Sequence, residues 1–238
     1  MEEKIDFLAI GAHPDDVEIG MGGTIAKFVK AGKRGKIVHL TYAELSSNGT
    51  VEKRQEEARE ACGILGVGEH IQLPFADRGL LEARIEIIEA LVKIIRTYKP
   101  RFVFASTTND RHPDHGHCGV LVKEAVFSAG IKNYLSEFSF RAHRPKALYY
   151  YQINGLINPD FLIDTTAFID TKFKALSCFE SQFKVTENDT VTTPLNSGYL
   201  ERLKSRDHLL GAEVGIEYAE GFNSEKPILI HDLLGDSI

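Results

Sequence analysis

A chain of 238 residues, 43% hydrophobic and 26% charged, has the composition of an ordinary soluble protein and the length for one sizeable core. The formal net charge of -6 removes the electrostatic case for nucleic acid, and no apolar stretch is long enough to span a bilayer. Cys62, Cys118 and Cys178 are odd in number and far apart, so neither a disulfide framework nor a CxxC site is expected; with an acidic start and no signal-peptide pattern, they predict a cytoplasmic setting.

The apolar run Phe7-Leu8-Ala9-Ile10-Gly11 predicts a buried strand. Ala12-His13-Pro14-Asp15-Asp16 follows it, and then a glycine-rich turn, Gly20-Met21-Gly22-Gly23. Residues 24–31 predict a short helix closed by Gly32, and residues 36–41 a second strand. A polar loop over 44–50 leads into a charged helix over 51–65, whose inner stripe is Ala58, Ala61, Cys62 and Leu65. Residues 70–74 predict a strand, Asp77-Arg78-Gly79 a loop, and residues 81–98 an amphipathic helix with Ile85, Ile88, Leu91, Val92 and Ile95 at helical spacing. The strand predicted over 102–105 ends in a second polar cluster, Asp110-Arg111-His112-Pro113-Asp114-His115, and a helix is expected over 115–129. This alternation predicts parallel βαβ units.

The second half is less regular. Residues 147–153 and 161–164 predict strands, 168–183 and 197–214 helices, and 185–196 a polar, Thr-rich surface loop. The tail from Ile216 is expected to pack back on the body or on a neighbouring subunit. No linker or internal repeat divides the chain, which predicts a single domain over 1–238: a Rossmann-like, mostly parallel α/β sheet with an elaborated C-terminal part.

Both polar clusters lie at predicted strand C-termini, which a parallel sheet brings to one edge, where open α/β sheets bind ligands. His and Asp side chains from two adjacent loops suit a divalent cation with an open coordination position. If His13 and Asp16 bind it, Asp15 is left beside it as a general base, and His115 is the third ligand from the other loop. His112 then donates a hydrogen bond to a developing oxyanion or protonates a leaving amine, with Asp114 or Asp110 setting its tautomer. This inventory suits an amide, an ester or a phosphoester. GxGxxG, the Walker A lysine, GxSxG and HEXXH patterns are all missing from the sequence.

Blander roles stand beside these. Cys118 reads as a small buried helix side chain, Arg54 as a solvated residue and Tyr199 as packing. Glu18 is either a partner of His13 or a first-turn helix carboxylate, and Ser46, Ser47 and Asn48 either touch a sugar or form a turn.

The stretches Ala12-His13-Pro14-Asp15-Asp16-Val17-Glu18 and His112-Pro113-Asp114-His115 resemble the two motifs of the LmbE-like or PIG-L family of zinc-dependent N-acetylglucosaminyl deacetylases. Leu45-Ser46-Ser47-Asn48-Gly49-Thr50, Glu180-Ser181-Gln182-Phe183 and Tyr218-Ala219-Glu220-Gly221-Phe222 resemble the bacterial branch that deacetylates N-acetylglucosaminyl malate on the way to bacillithiol. The resemblance implies a Rossmann-like fold without a dinucleotide. It implies one Zn2+ per chain on His13, Asp16 and His115, with Fe2+ or Co2+ not separable by ligand type. Asp15 is the implied base, with His112, oriented by Asp114, stabilising the tetrahedral intermediate. Arg54, Asp77 and Asn48 are implied to hold substrate, and Arg144 and Tyr199 to close over the site, although Phe140-Arg141-Ala142 adds length just before Arg144. The implied partners are a small-molecule N-acetylglucosamine conjugate and further copies of the chain, often as a hexamer. Alternatives are a deacetylase of free GlcNAc or chito-oligosaccharides, a phosphoesterase, and a metal-dependent sugar-binding module without turnover.

Overall fold

Every residue of strand β1 (Phe7–Gly11) is buried, as expected for a parallel strand covered on both faces. Its side chains alternate between two cores. Leu8 and Ile10 join Val38, Leu91, Ile95 and Val122 on one side, and Phe7 and Ala9 join Ile25, Ile37, Leu176 and Leu203 on the other. The computed structural model describes residues 4–68, 70–156, 158–185 and 191–230.

The remaining strands are β2 (Gly35–Thr41), β3 (Ile71–Phe75), β4 (Phe102–Ser106), β5 (Ala147–Tyr151), β6 (Phe161–Asp164) and β7 (Ala219–Ser224). Among the described residues they form one sheet of order β3-β2-β1-β4-β5-β7-β6. The first five run parallel, and β7 lies antiparallel between β5 and β6. The chain moves outward from β1 to β3 and then crosses back to β4 on the other side of β1. The gap between the C-terminal ends of β1 and β4 is therefore the topological switch point, the crevice where such sheets bind ligands.

Helices α1 (Asp16–Lys30), α2 (Val51–Leu65), α3 (Arg84–Tyr98) and α4 (Pro113–Ala129) complete the βαβ half. Thr50 caps α2 by accepting from the Lys53 N–H, and Gly66 closes it at φ 77. Pro113 opens α4, where its missing N–H is harmless. Helices α5 (Ile169–Leu176), α6 (Glu180–Phe183) and α7 (Tyr199–Glu213) follow in the second half.

Two sequence expectations need correction, and a third, the packing of the tail, is resolved to the body of the same chain. The glycine-rich stretch is no turn ahead of a helix: α1 already starts at Asp16 and is broken at Met21 (φ -149, ψ 23). Gly20 sits there because a Cβ would lie 2.0 Å from the Tyr151 ring. The helix expected over 168–183 is a 3-10 turn at Thr166–Phe168 followed by α5 and α6, with the fully buried Phe179 between them. The tail from Ile216 supplies β7, which packs inside the sheet of its own chain. Residues 186–190 of the expected polar loop, and the tail beyond 230, lie outside the described residues.

Candidate active site

The loop after β1 is wound tightly. The Asp16 carboxylate accepts the His13 N–H at 2.9 Å, and Asp15 adopts φ 104. A non-glycine residue there carries backbone strain of about 1–3 kcal/mol, which persists only where the surroundings hold it. Arg54 does the holding. Its Nη2 donates to Asp15 Oδ2 at 2.9 Å and to the Pro14 carbonyl at 2.7 Å, its Nε also reaches that carbonyl, and its Nη1 donates to Ser46 Oγ. Burial raises the Asp15 carboxyl to about 6, and Arg54 pulls against that rise.

His13 lies among three carboxylates. Nδ1 is 3.6 Å from Asp16, and Nε2 is 3.1 Å from Asp77 and 3.6 Å from Asp114. Burial alone would depress its pKa, but Asp114, Asp16 and Asp77 outweigh burial and raise it well above the usual imidazole value. From the β4 side, His115 Nε2 is 3.1 Å from Asp16 Oδ1, and its Nδ1 is 3.1 Å from Asp110 Oδ1. Asp110 is in turn held by the Asn154 backbone N–H and Nδ2. Burial opposes protonation of His115, but Asp16 and Asp110 win and lift it to about 9. Asp16 is driven the other way: burial would raise it, but His115 and His13 hold it well below the usual carboxylate range.

These donors fit a divalent cation. Protons on His13 and His115 balance the clustered carboxylates, and a cation would take their place. His115 turns one nitrogen into the cluster while a carboxylate fixes the other, the usual support of a metal-binding imidazole. Among the described residues, two groups can bring ligand atoms within 4.8 Å of one another: His13, His112 and His115, and His13, Asp77 and Asp114. The expected trio of His13, Asp16 and His115 is joined through the two Asp16 contacts.

The ring of His112 stacks on His115, with centroids 4.5 Å apart, and faces His13 edge-on at 5.0 Å. Burial lowers its pKa, and the neighbouring imidazoles His115 and His13 lower it further, so it is neutral at pH 7.

His13, Asp15, Asp16, Arg54, Asp77, His112, His115 and Tyr199 all line one cavity of about 670 Å³. Other expected residues fall elsewhere or act differently. Asp114 accepts from the Arg78 backbone and Nη1 and faces His13; it is Asp110 that meets His112, through the His112 backbone N–H. Burial opposes the ionisation of Asp114, but His13 and Arg78 hold it at about 2. Asp77 points at His13 and takes the Leu45 N–H. Asn48 is buried, and its side chain ties the loop to the Val191 carbonyl instead of facing the cavity. Arg144 is exposed beside Gly130, at the far end of α4 from His115, and so is not brought to the site. Tyr199 uses its hydroxyl on the Ile153 carbonyl at 3.0 Å. Glu18 is fully buried; burial lifts its carboxyl to about 8, so it is a neutral acid at pH 7, and neither of its oxygens meets a hydrogen-bond partner among the described residues. Cys118 is a fully buried helix residue, as expected, and burial pushes its thiol up to about 12.

Sequence reasoning gives no role to Arg111, which lines the same cavity and a second recess of about 620 Å³ that shares Ile153, Asn154, Pro194 and Tyr199 with it. Its place inside the second polar cluster is the available signal. Arg202 and Arg206 also line the recess, and no carboxylate does among the described residues.

Residues 8–126 match the model of the family described as PIG-L, GlcNAc-PI de-N-acetylase. The diacetylchitobiose deacetylase of Thermococcus kodakarensis is 31% identical over 188 residues, covering 74% of this chain and 69% of that protein. The structure of the conserved protein TT1542 from Thermus thermophilus superposes with a TM-score of 0.83 at 34% identity, over 95% of this chain and 97% of that one. The structure of N,N'-diacetylchitobiose deacetylase from Pyrococcus horikoshii gives a TM-score of 0.79 at 27% identity, over 92% of this chain and 82% of that one. No helix among the described residues is long and apolar enough to cross a membrane.

Proposed function

The chain belongs to the PIG-L family, and from that premise we propose that it hydrolyses the N-acetyl group of a glucosamine conjugate, with N-acetylglucosaminyl malate as substrate and glucosaminyl malate and acetate as products. The observation that carries this reading is the meeting, in one cavity, of a His and Asp donor cluster with Asp15, a buried carboxylate held by an arginine rather than by the imidazoles. A metal-dependent binding module needs no such group.

His13, Asp16 and His115 would hold a zinc ion, which supplies Lewis acidity toward the acetyl carbonyl and water. Asp15 takes a proton from the attacking water; its carboxyl, raised to about 6, is ionised at neutral pH and still basic enough to accept one. Arg54 keeps that carboxylate aimed. His112, neutral and stacked on His115, offers its N–H to the oxygen that gains charge as the carbonyl is attacked. The proton taken up then passes to the departing amine as the C–N bond breaks.

An acidic aglycone is supported by the second recess, where Arg111 and Arg202 face no lining carboxylate, in a chain of net charge -6. Guanidinium is well suited to carboxylates. A second reading, deacetylation of a neutral chito-oligosaccharide, is supported by the names of the Thermococcus and Pyrococcus relatives. Free-amine release by metal-quantified protein separates the two. N-acetylglucosaminyl malate, N-acetylglucosamine and diacetylchitobiose are supplied in parallel, with a chelated control. Chelator-sensitive release from the malate conjugate, at least about tenfold faster than from the others, is expected. Preference for diacetylchitobiose would transfer the assignment to the second reading, and no amine from any of them would remove deacetylation.

A further inference from the structure

Behind the site, where α1 breaks at Met21, four charged side chains are buried together: Arg206, Asp207, Lys172 and Glu220. Lys172 Nζ lies 2.6 Å from Asp207 Oδ2 and 2.7 Å from Glu220 Oε1, and Arg206 Nε is 3.4 Å from Asp207 Oδ1. Two cations and two anions balance. Burying them is still expensive, and apolar residues of the same volume often serve stability equally well. Stability is therefore a poor account of the quartet, and its backbone contacts give a better one.

Glu220 accepts from the Gly23 and Thr24 N–H groups at 2.9 and 2.7 Å, so it caps the second segment of α1 from a distant strand. Arg206 takes the other side of the break. Its Nη2 donates to the Ile19 carbonyl at 3.4 Å, in the turn that begins at Asp16. Its Nη1 donates to the Ile153 carbonyl at 2.9 Å, and the next residue, Asn154, grips Asp110 and through it His115. One guanidinium thus joins the segment carrying Asp16 to the support of His115, and Glu220 fixes the break against which that segment sits.

We propose that Arg206 and Glu220 are positioning residues that set the separation of Asp16 and His115, and with it the affinity of the site for a divalent cation. This rests on the family's cation site but not on the identity of the substrate. The planar fork of Arg206 matters because a lysine ammonium cannot reach both carbonyls in that geometry.

The test is zinc affinity, read by competition with a chromophoric chelator with no substrate present, together with the melting temperature of the metal-free chain. Arg206→Lys keeps the charge balance. It is expected to weaken the zinc Kd about 10- to 100-fold, the usual effect of losing a support behind metal ligands. A residue that only stabilises the fold would lower the metal-free melting temperature and leave Kd alone. If Arg206→Lys does not fold, the charge-balanced pair Lys172→Met with Glu220→Gln replaces it, with weakening in the same direction expected. A Kd within about threefold of the parent in either folded variant overturns the proposal, as does a parent that binds no zinc. A parent that binds zinc but releases no amine removes the proposed activity and leaves this inference standing.

Discussion

The family resemblance implies that Arg54 holds a sugar hydroxyl, yet four of its five N–H groups are spent on Pro14, Asp15 and Ser46. Its removal should therefore act on Asp15. The Asp15 carboxyl is raised to about 6 by burial, with Arg54 the largest opposing influence at 2.9 Å. A buried carboxylate that loses such a partner rises by about 1–3 pKa units. A rise of about 2 units corresponds to roughly 2.7 kcal/mol. The base works only when ionised, so activity falls as pH drops through its pKa, and a higher pKa moves the acidic limb of the profile upward. At pH 7 the ionised fraction would go from about nine-tenths to about one-tenth, a loss near tenfold that is recovered near pH 9. Arg54→Met should show this shift in kcat/KM against pH, and Arg54→Lys, which keeps the charge, much less of it. An unmoved acidic limb in folded, metal-loaded Arg54→Met would refute the assignment of Asp15 as the base tuned by Arg54. A rate that falls equally at every pH would instead return Arg54 to substrate binding.

Asp15→Asn should keep stoichiometric zinc and lose about 10²-fold or more in turnover; near-normal turnover would assign the base elsewhere. Zinc at about 100 times Kd should raise the melting temperature by roughly 5–10 °C, about 2.7 kcal/mol, and a chelator should abolish the gain. His115, at about 9, and His13, raised well above its usual value, both carry protons at pH 7, so zinc binding should release more than one proton into weakly buffered solution. Calorimetry in buffers of different ionisation enthalpy would count them, and a count of zero would mean the imidazoles are not ligands. Gly20→Ala should cost about 2–3 kcal/mol and lower the melting temperature by roughly 4–12 °C, because Tyr151, anchored by its hydroxyl to the Ile10 carbonyl at 2.8 Å, cannot retreat from the new methyl group. A thermal scan of the variant checks it.

The strands of the first half, its helices apart from the first two turns of α1, and the meeting of the two polar clusters at one sheet edge are legible in the sequence. There the signals are local: an apolar run of strand length, a 3.6-residue stripe, a glycine or proline at a boundary. The αβ alternation then forces parallel strands, and parallel strands put both loops on the same side. So His13, Asp15, Asp16, His112 and His115 can be gathered from the sequence by itself, and all five line one cavity.

Tertiary structure decided which partner each side chain takes. Arg54 serves Asp15, Asp77 turns to His13, Asp110 supports His115, Asn48 ties down a loop and Arg144 sits at the far end of α4. Apart from Asp110 with His115, the hydrogen-bonded pairs join residues distant in the chain, as do Arg206 with Ile19 and Glu220 with Thr24, 187 and 196 positions apart. A side chain's hydrogen-bond partner is chosen by proximity and by the cost of leaving a buried polar group unpaired, neither of which has a period or a motif. β7 was hidden for the same reason: Ala219-Glu220-Gly221 has no strand-like alternation of its own, and it becomes a strand because β5 and β6 offer it edges and Lys172 accepts its buried glutamate as an ion-pair partner.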